Sequence, residues 1–487
     1  AQGLTRGALA DDDHPSPQPT KQAVLLIHGI GEQRPMSTLW RLVELVWLKA
    51  PGRSPELDRK VYSEPDEISG VFELRRLSTN ANADGKRTDF FEYYWAHLMS
   101  GNELADVLGW LSELALRPRS RVPPTLHKAW FALRVMLVAL TVFLGFLFMS
   151  VFASGIAGLD HTIWVTILAL LVLVGIVIYL DKAFISPVLG DAARYLRPDP
   201  KNIACRQDIR ARGVEVLSAL HASGKYDRIL VVGHSLGGVI AYEIVCHYWA
   251  RVNREMVAPG LQQPLAAAER AGQALRADPE DQAALDRWRA AQSAFAEALR
   301  GHVDVTGKPL WLVTDLITMG SPLTHAETLL ADDPDDFRLM KERRELATCP
   351  PFYEVFDGGV ERFSYCRRLG AADDPAAEPR CPNNAAPFAA VRWTNLFFPM
   401  QGIMRGDLIG GPVRAAFGPG VEDISVRAPR EGGWLPHMDY FELETGPHWG
   451  DPHWRDHREA LRDAMALEQP MIWENAARRP ARTGEAP

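Results

Sequence analysis

The sequence predicts an α/β protein built on a mostly parallel sheet flanked by helices. Three observations carry that reading. Short, continuous apolar runs end in turn residues, as strands buried on both faces do. Helical patterns separate these runs, which is the signature of βαβ units. The length of 487 residues suits one large domain carrying insertions.

The elements follow in chain order. Residues 1–21 open with AQGLTRGALADDDHPSPQPT, rich in Pro, Asp and Gln and without hydrophobic periodicity, and are expected to form a disordered tail. They lack the basic start and apolar core of a secretory signal. The run AVLLIH at 23–28 ends at Gly29 and predicts the first strand. A helical pattern follows at 38–49, then strands at 71–77 and 89–95. Further on, a helix is expected over 205–223, a strand at 228–232 and a second helix at 237–251. Strands at 311–318 and 391–398 complete the sheet.

Two segments interrupt this alternation. Residues 135–159 carry no charged side chain, and neither do 161–180, with Asp160 between them. As helices they would measure roughly 37 and 30 Å against an apolar bilayer core of about 30 Å. They predict a transmembrane hairpin over 130–182. Basic residues collar both ends (Arg117, Arg119, Arg121, Lys128 and Arg134 before, Lys182, Arg194, Arg197 and Lys201 after). That pattern predicts an integral membrane protein, of the bacterial inner membrane, with its body on the cytoplasmic side. The second insertion, 259–302, is Ala-rich and charged, split at Asp278-Pro279. It predicts an antiparallel helix pair, read as a solvent-exposed excursion in preference to a substrate lid. The body is then 22–129 joined to 183–465, with a tail from 466 to 487.

Composition narrows the partners. With 53 Lys+Arg against 61 Asp+Glu, the net charge is −8 and the pI is near 6.0, which argues against nucleic acid. The mean hydropathy of −0.12 averages a polar body with the apolar block and hides the latter. Five Cys without paired short spacing suit a reducing compartment and give no zinc ribbon or disulfide framework.

The chemistry is carried by Gly233-His234-Ser235-Leu236-Gly237-Gly238. An apolar strand before it and a helix after it supply the strand–turn–helix context that a G-x-S-x-G nucleophile turn needs. Glycines flank the serine because side chains there would collide with the neighbouring strand and helix. The helix start behind Ser235 offers backbone N–H groups to a developing oxyanion. His28-Gly29-Ile30-Gly31 ends the first strand and can bring a second N–H to the same place. The expected oxyanion hole is the N–H of Leu236 with that of Ile30.

With HGIG at 28–31, GHSLGG at 233–238 and TMGSPL at 318–323, the chain resembles the α/β-hydrolase superfamily, in particular its lipase-like serine esterases. The resemblance implies an α/β-hydrolase fold and the chain order nucleophile, acid, histidine. On it, Ser235 is the nucleophile and His437, in an H-x-x-Y segment ending at Tyr440, is the base. Asp407, in the loop after the strand at 391–398, is the acid, with Asp423 as the main alternative. Asp439 is badly placed to orient a histidine two residues away. His28 and His234 are read as shaping the loops, and His448, His453 and His457 as surface or core residues without metal. Ser321 reads as a structural turn.

The expected activity is hydrolysis of carboxylic esters, of lipids foremost, through a Ser-His-Asp triad and an acyl-enzyme. This chemistry requires no metal or organic cofactor. Trp434, Trp449, Trp454, Phe397 and Phe398 are candidates for an acyl path. Alternatives of other classes are a deacylase of acylated proteins and a catalytically silent scaffold on a hydrolase fold.

Overall fold

A computed structural model describes residues 21–30, 34–50, 58–82, 85–99, 200–304, 307–356, 359–366, 379–401, 405–407, 409–429, 436–443, 451 and 453–468, with isolated positions between 116 and 195. Its strands in chain order are β1 (Lys21–Ile27), β2 (Val61–Pro65), β3 (Arg75–Thr79), β4 (Arg87–Tyr93), β5 (Arg228–His234) and β6 (Val313–Met319), then the short β7 (Glu354–Phe356), β8 (Val360–Arg362), β9 (Ser364–Cys366) and β10 (Arg380–Pro382), and last β11 (Arg392–Phe397), β12 (Glu422–Arg427) and β13 (Arg455–Asp456). Nine of them form one sheet in the order β13-β12-β11-β6-β5-β1-β4-β3-β2. Pairing is parallel from β13 to β4, while β3 and β2 add an antiparallel edge. The fold is therefore α/β with a mostly parallel central sheet.

Both faces of the sheet are covered, which explains why its middle strands read as unbroken apolar runs. Ala23, Leu25 and Ile27 of β1, with Ile229 and Val231 of β5, point to one face. Helices α1 (Ser37–Val43), α2 (Pro200–Ala222) and α3 (Leu236–Val252) divide between the two sides. Ile209 and Leu217 of α2 and Val239 and Ile240 of α3 share the first core. Val24, Leu26, Leu230 and Val232 point the other way and meet Leu39 and Leu42 of α1.

The helix pair α4 (Pro259–Ala277) and α5 (Gln282–Arg300) differs from its expectation. It is no solvent-exposed excursion. Trp288, Phe295 and Leu299 of α5 are fully buried in the first core, with Leu261 and Leu265 of α4. Gln292 Nε2 also donates to the carbonyls of Phe388 and Val391 at 2.7 and 2.8 Å, tying α5 to the chain entering β11. The pair is a wall of the body. Beyond it come α6 (Pro334–Glu342) and α7 (His457–Met465), whose Ala460 and Leu461 close the second core.

The ends also differ. The first strand already begins at Lys21, and the chain stays packed past 466: Leu467 is buried and its carbonyl accepts from Gln22 Nε2 at 3.0 Å. None of the five cysteines is in a disulfide.

One expectation is corrected outright. Among the described residues no helix is long and apolar enough to cross a membrane. The integral-membrane assignment, its transmembrane hairpin and the cytoplasmic-side orientation are therefore withdrawn. The apolar block at 135–180 on which they rested lies almost wholly outside the described residues. Hydropathy alone measured its length and lack of charge, and neither quantity fixes where such a segment packs.

Candidate active site

The site lies at the carboxyl ends of the parallel strands, where β5 turns into α3. Ser235 is the turn residue, with φ 55° and ψ −129°, a left-handed conformation rare outside glycine. Two bonds hold it there. Its N–H donates to the Met319 carbonyl at the end of β6, and its carbonyl accepts from Gly238 N–H, both at 2.9 Å. Close approach explains the glycines around it. A Cβ on Gly237 would stand 2.2 Å from the Ile27 carbonyl oxygen, and one on Gly29 would stand 2.9 Å from Ser235 Cβ. No side chain fits either place. The β1 loop is thus pressed against the serine at Gly29, with Ile30 next in that loop, while Leu236 follows the serine in the chain. Leu236 is buried and Ile30 half-buried, and Gly31 falls outside the described residues.

The structure brings Ser235, His437 and Asp407 together. His437 Nε2 is 2.8 Å from Ser235 Oγ, and its Nδ1 lies 3.0 and 2.9 Å from the two Asp407 carboxylate oxygens. His437 is carried by a 3₁₀ helix, Pro436–Phe441, and Asp407 by the loop that leaves β11. Asp407 N–H donates to Phe398 O at 3.1 Å, which folds that loop back over the strand end. Burial by itself would raise the Asp407 carboxyl. Bonding to His437 and its charge, the Gly410 N–H and the Tyr440 hydroxyl together hold it below the usual carboxylate value. Ile409 N–H adds a donor at 2.9 Å. Asp407 is therefore ionised at neutral pH and directed at the His437 imidazole.

Sequence left the choice of acid open, and here the two aspartates part. Asp423 is the second residue of β12 and pairs with Asn395 of β11. Its Oδ1 accepts from Asn395 Nδ2 at 2.8 Å and Val413 N–H at 3.0 Å, and its Oδ2 from Arg414 N–H at 2.9 Å. It braces the loop between β11 and β12. Asp439 is buried two residues along the same 3₁₀ helix as the base, off the face that carries His437.

His28, His234 and His457 are held in structural hydrogen bonds. His28 donates from Nδ1 to Gly29 O at 2.7 Å, accepts from Trp95 N–H at 3.3 Å on Nε2 and stacks on the Trp95 ring. Burial pushes its pKa down to about 4, so it is neutral. His234 is likewise pushed down to about 3, by burial first and by the neighbouring His437 second. Its Nε2–H donates to the His437 backbone carbonyl at 3.0 Å, an anchor for the base-bearing turn that no motif disclosed. His457 donates to Glu442 O, His453 is exposed and His448 lies outside the described residues. Among the described residues no group of His, Cys, Asp or Glu is arranged to hold a metal ion.

Of the remaining candidates, Ser321 is fully buried and its Oγ accepts from Leu323 N–H at 3.3 Å. Phe398 stacks on Tyr440 with centroids 4.2 Å apart, so it supports the acid and does not line an acyl path, and Phe397 is buried too. Trp454 is half-buried beside β13, and Trp434 and Trp449 lie outside the described residues.

No family model, curated protein or solved structure matches this chain.

Proposed function

We propose that the protein is a serine hydrolase of the α/β-hydrolase type that cleaves carboxylic esters through an acyl-enzyme on Ser235. The observation that carries the reading is the unbroken run of hydrogen bonds from Ser235 Oγ through His437 to buried Asp407, on a serine held at φ 55° between strand and helix. Nucleophile, base and orienting acid each have the neighbour that role requires.

The steps follow from those contacts. Ser235 Oγ attacks the ester carbonyl carbon while His437 Nε2 takes its proton, and Asp407 stabilises the imidazolium. The N–H groups of Leu236 and Ile30 receive the oxyanion. His437 then protonates the departing alkoxide as the carbon–oxygen bond breaks, leaving the acyl group on Ser235. Water attacks next, giving one proton to His437. Collapse frees the acid and returns that proton to Oγ.

A lipid preference loses its original support with the membrane assignment. What remains is local. Met438, next to the base, and Met400, at the head of the acid-bearing loop, are 54% and 41% exposed. Two flexible thioethers flanking the catalytic loops favour an acyl group with an apolar chain. Purified protein assayed on p-nitrophenyl esters from acetate to laurate tests the reading. Turnover should rise with chain length and fall at least about 10⁴-fold in Ser235→Ala. Equal turnover by the two proteins refutes it.

A further inference from the structure

Tyr440 makes a contact that the three-residue mechanism does not use. It lies three residues after His437 on the six-residue 3₁₀ helix Pro436–Phe441. At three residues per turn, side chains at i and i+3 eclipse. Both therefore project from one face and grip the same carboxylate. His437 Nδ1 is 2.9 Å from Asp407 Oδ2, and the Tyr440 hydroxyl donates to that oxygen at 2.9 Å.

The direction of that bond is fixed by its surroundings. The phenol is buried, and burial holds its pKa well above the ordinary value, so it keeps its proton. Phe398 N–H donates to the phenol oxygen at 3.2 Å. With an amide supplying one of its bonds, the single hydroxyl proton is committed to Asp407. The fold also clears space for the pair. Gly320, at the end of β6, has φ +56°, and a Cβ there would stand 2.6 Å from Tyr440 Cε2 and 2.8 Å from Asp407 Oδ2.

We propose that Tyr440 is a positioning residue of this site, whose hydroxyl fixes the Asp407 carboxylate against His437 and draws off part of its charge, setting the basicity of His437. The proposal rests on the serine-hydrolase reading above. Each donor to a carboxylate weakens its pull on the others, so removing the hydroxyl concentrates charge on the His437 bond and stabilises the imidazolium. The other titratable groups around the base are in place to hear this change without masking it. His234, from the β5 turn, sits 5.3 Å away ring to ring and is neutral, with His28 of the β1 loop, also neutral, behind it. Ser235 faces Nε2, Asp407 faces Nδ1, and Asp439 belongs to the same turn.

The test is the pH profile of kcat/KM on a p-nitrophenyl ester for the wild type, Tyr440→Phe and protein carrying 3-fluorotyrosine at position 440. In Tyr440→Phe the added charge on the His437 bond should move the acid limb up by about half a pH unit. Loss of the bond that fixes the carboxylate outweighs this in turnover and should lower kcat about tenfold, the scale of one bond to a charged group. KM should stay within about twofold, because Tyr440 contacts the acid and not the substrate. The fluorinated phenol is a stronger donor of nearly the same size, and its acid limb should move down. Should Tyr440→Phe fail to fold, the fluorinated protein decides by itself. Acid limbs that superimpose on the wild type, even with a reduced kcat, mean a packing role and overturn the proposal while leaving the hydrolase reading intact. A wild type whose hydrolysis survives Ser235→Ala overturns both.

Discussion

Replacing Asp407 by Asn changes one charge and almost no volume, so it isolates what the acid does. The carboxylate is fully buried and its His437 partner 15% exposed, with 2.9 Å between Oδ2 and Nδ1. When Nε2 takes the Ser235 proton, the ring becomes cationic beside that charge. At an effective dielectric of about 20, two unit charges at that separation attract by about 6 kcal/mol. The neutral amide forfeits this term, and one of the two oxygens facing Nδ1 becomes an NH₂ donor. A loss of about 5–6 kcal/mol in the transition state corresponds to roughly a 10⁴-fold fall in kcat. Asp423→Asn is the matched control. It should cost about 1–3 kcal/mol of stability through weakened bonds to Asn395, Val413 and Arg414 and leave kcat within about threefold. Steady-state kinetics on one ester, with circular dichroism to verify folding, measures both. A folded Asp407→Asn protein retaining a tenth of wild-type kcat would refute the orienting role, as would an equal loss in Asp423→Asn.

Two further expectations concern stability. Asp315 lies between Arg228 and Arg392, with contacts of 2.6 Å to each and all three side chains buried. Arg228 opens β5 and Ser235 follows its end, so at about 3.3 Å per residue this triad is about 23 Å from the nucleophile. Asp315→Ala should cost about 3–5 kcal/mol in urea denaturation by stranding two buried cations, with kcat unchanged in the folded fraction; a loss under 1 kcal/mol would contradict that. The second concerns acid. His28 and His221 are pushed by burial from 6.5 to about 4, and His234 to about 3, so each binds its proton more weakly folded than unfolded. The unfolded chain holds more protons between pH 6.5 and 4, so stability falls as pH drops through that window, by up to about 1.4 kcal/mol per unit for each histidine. Urea midpoints that stay flat from pH 7 to 5 would exclude this.

How far the sequence reached depends on the range of the interaction. Runs such as AVLLIH and RILVVGH announce strands because both faces of the middle sheet are dry, and those segments form β1 and β5. The polar EDISVR of β12 passed unnoticed. It alternates buried and half-buried residues near the edge of the sheet, where a strand needs no continuous apolar run. In α5, charges and alanines dominate the composition and mask its buried face. Its burial is carried by Trp288, Phe295 and Leu299, a narrow stripe at helical spacing.

At the site, the glycine spacing around Ser235 is local and readable. The partition between Asp407 and Asp423 is not, since both follow β11 and only the folding back of the Asp407 loop onto Phe398 separates them. The role of Tyr440 needed the 3₁₀ geometry, which a three-residue spacing alone does not specify. The apolar block at 135–180 is the opposite case: its strong local signal does not determine where the segment packs.

The claim everything else depends on is that Ser235 is a nucleophile activated by His437. Labelling of the purified protein with a fluorophosphonate, followed by peptide mapping, tests it most directly. The phosphonylated residue should be Ser235, formed stoichiometrically, absent in Ser235→Ala and slowed by orders of magnitude in His437→Ala. Absence of an adduct on the folded wild type, or an adduct that persists at the same rate in Ser235→Ala, would contradict it.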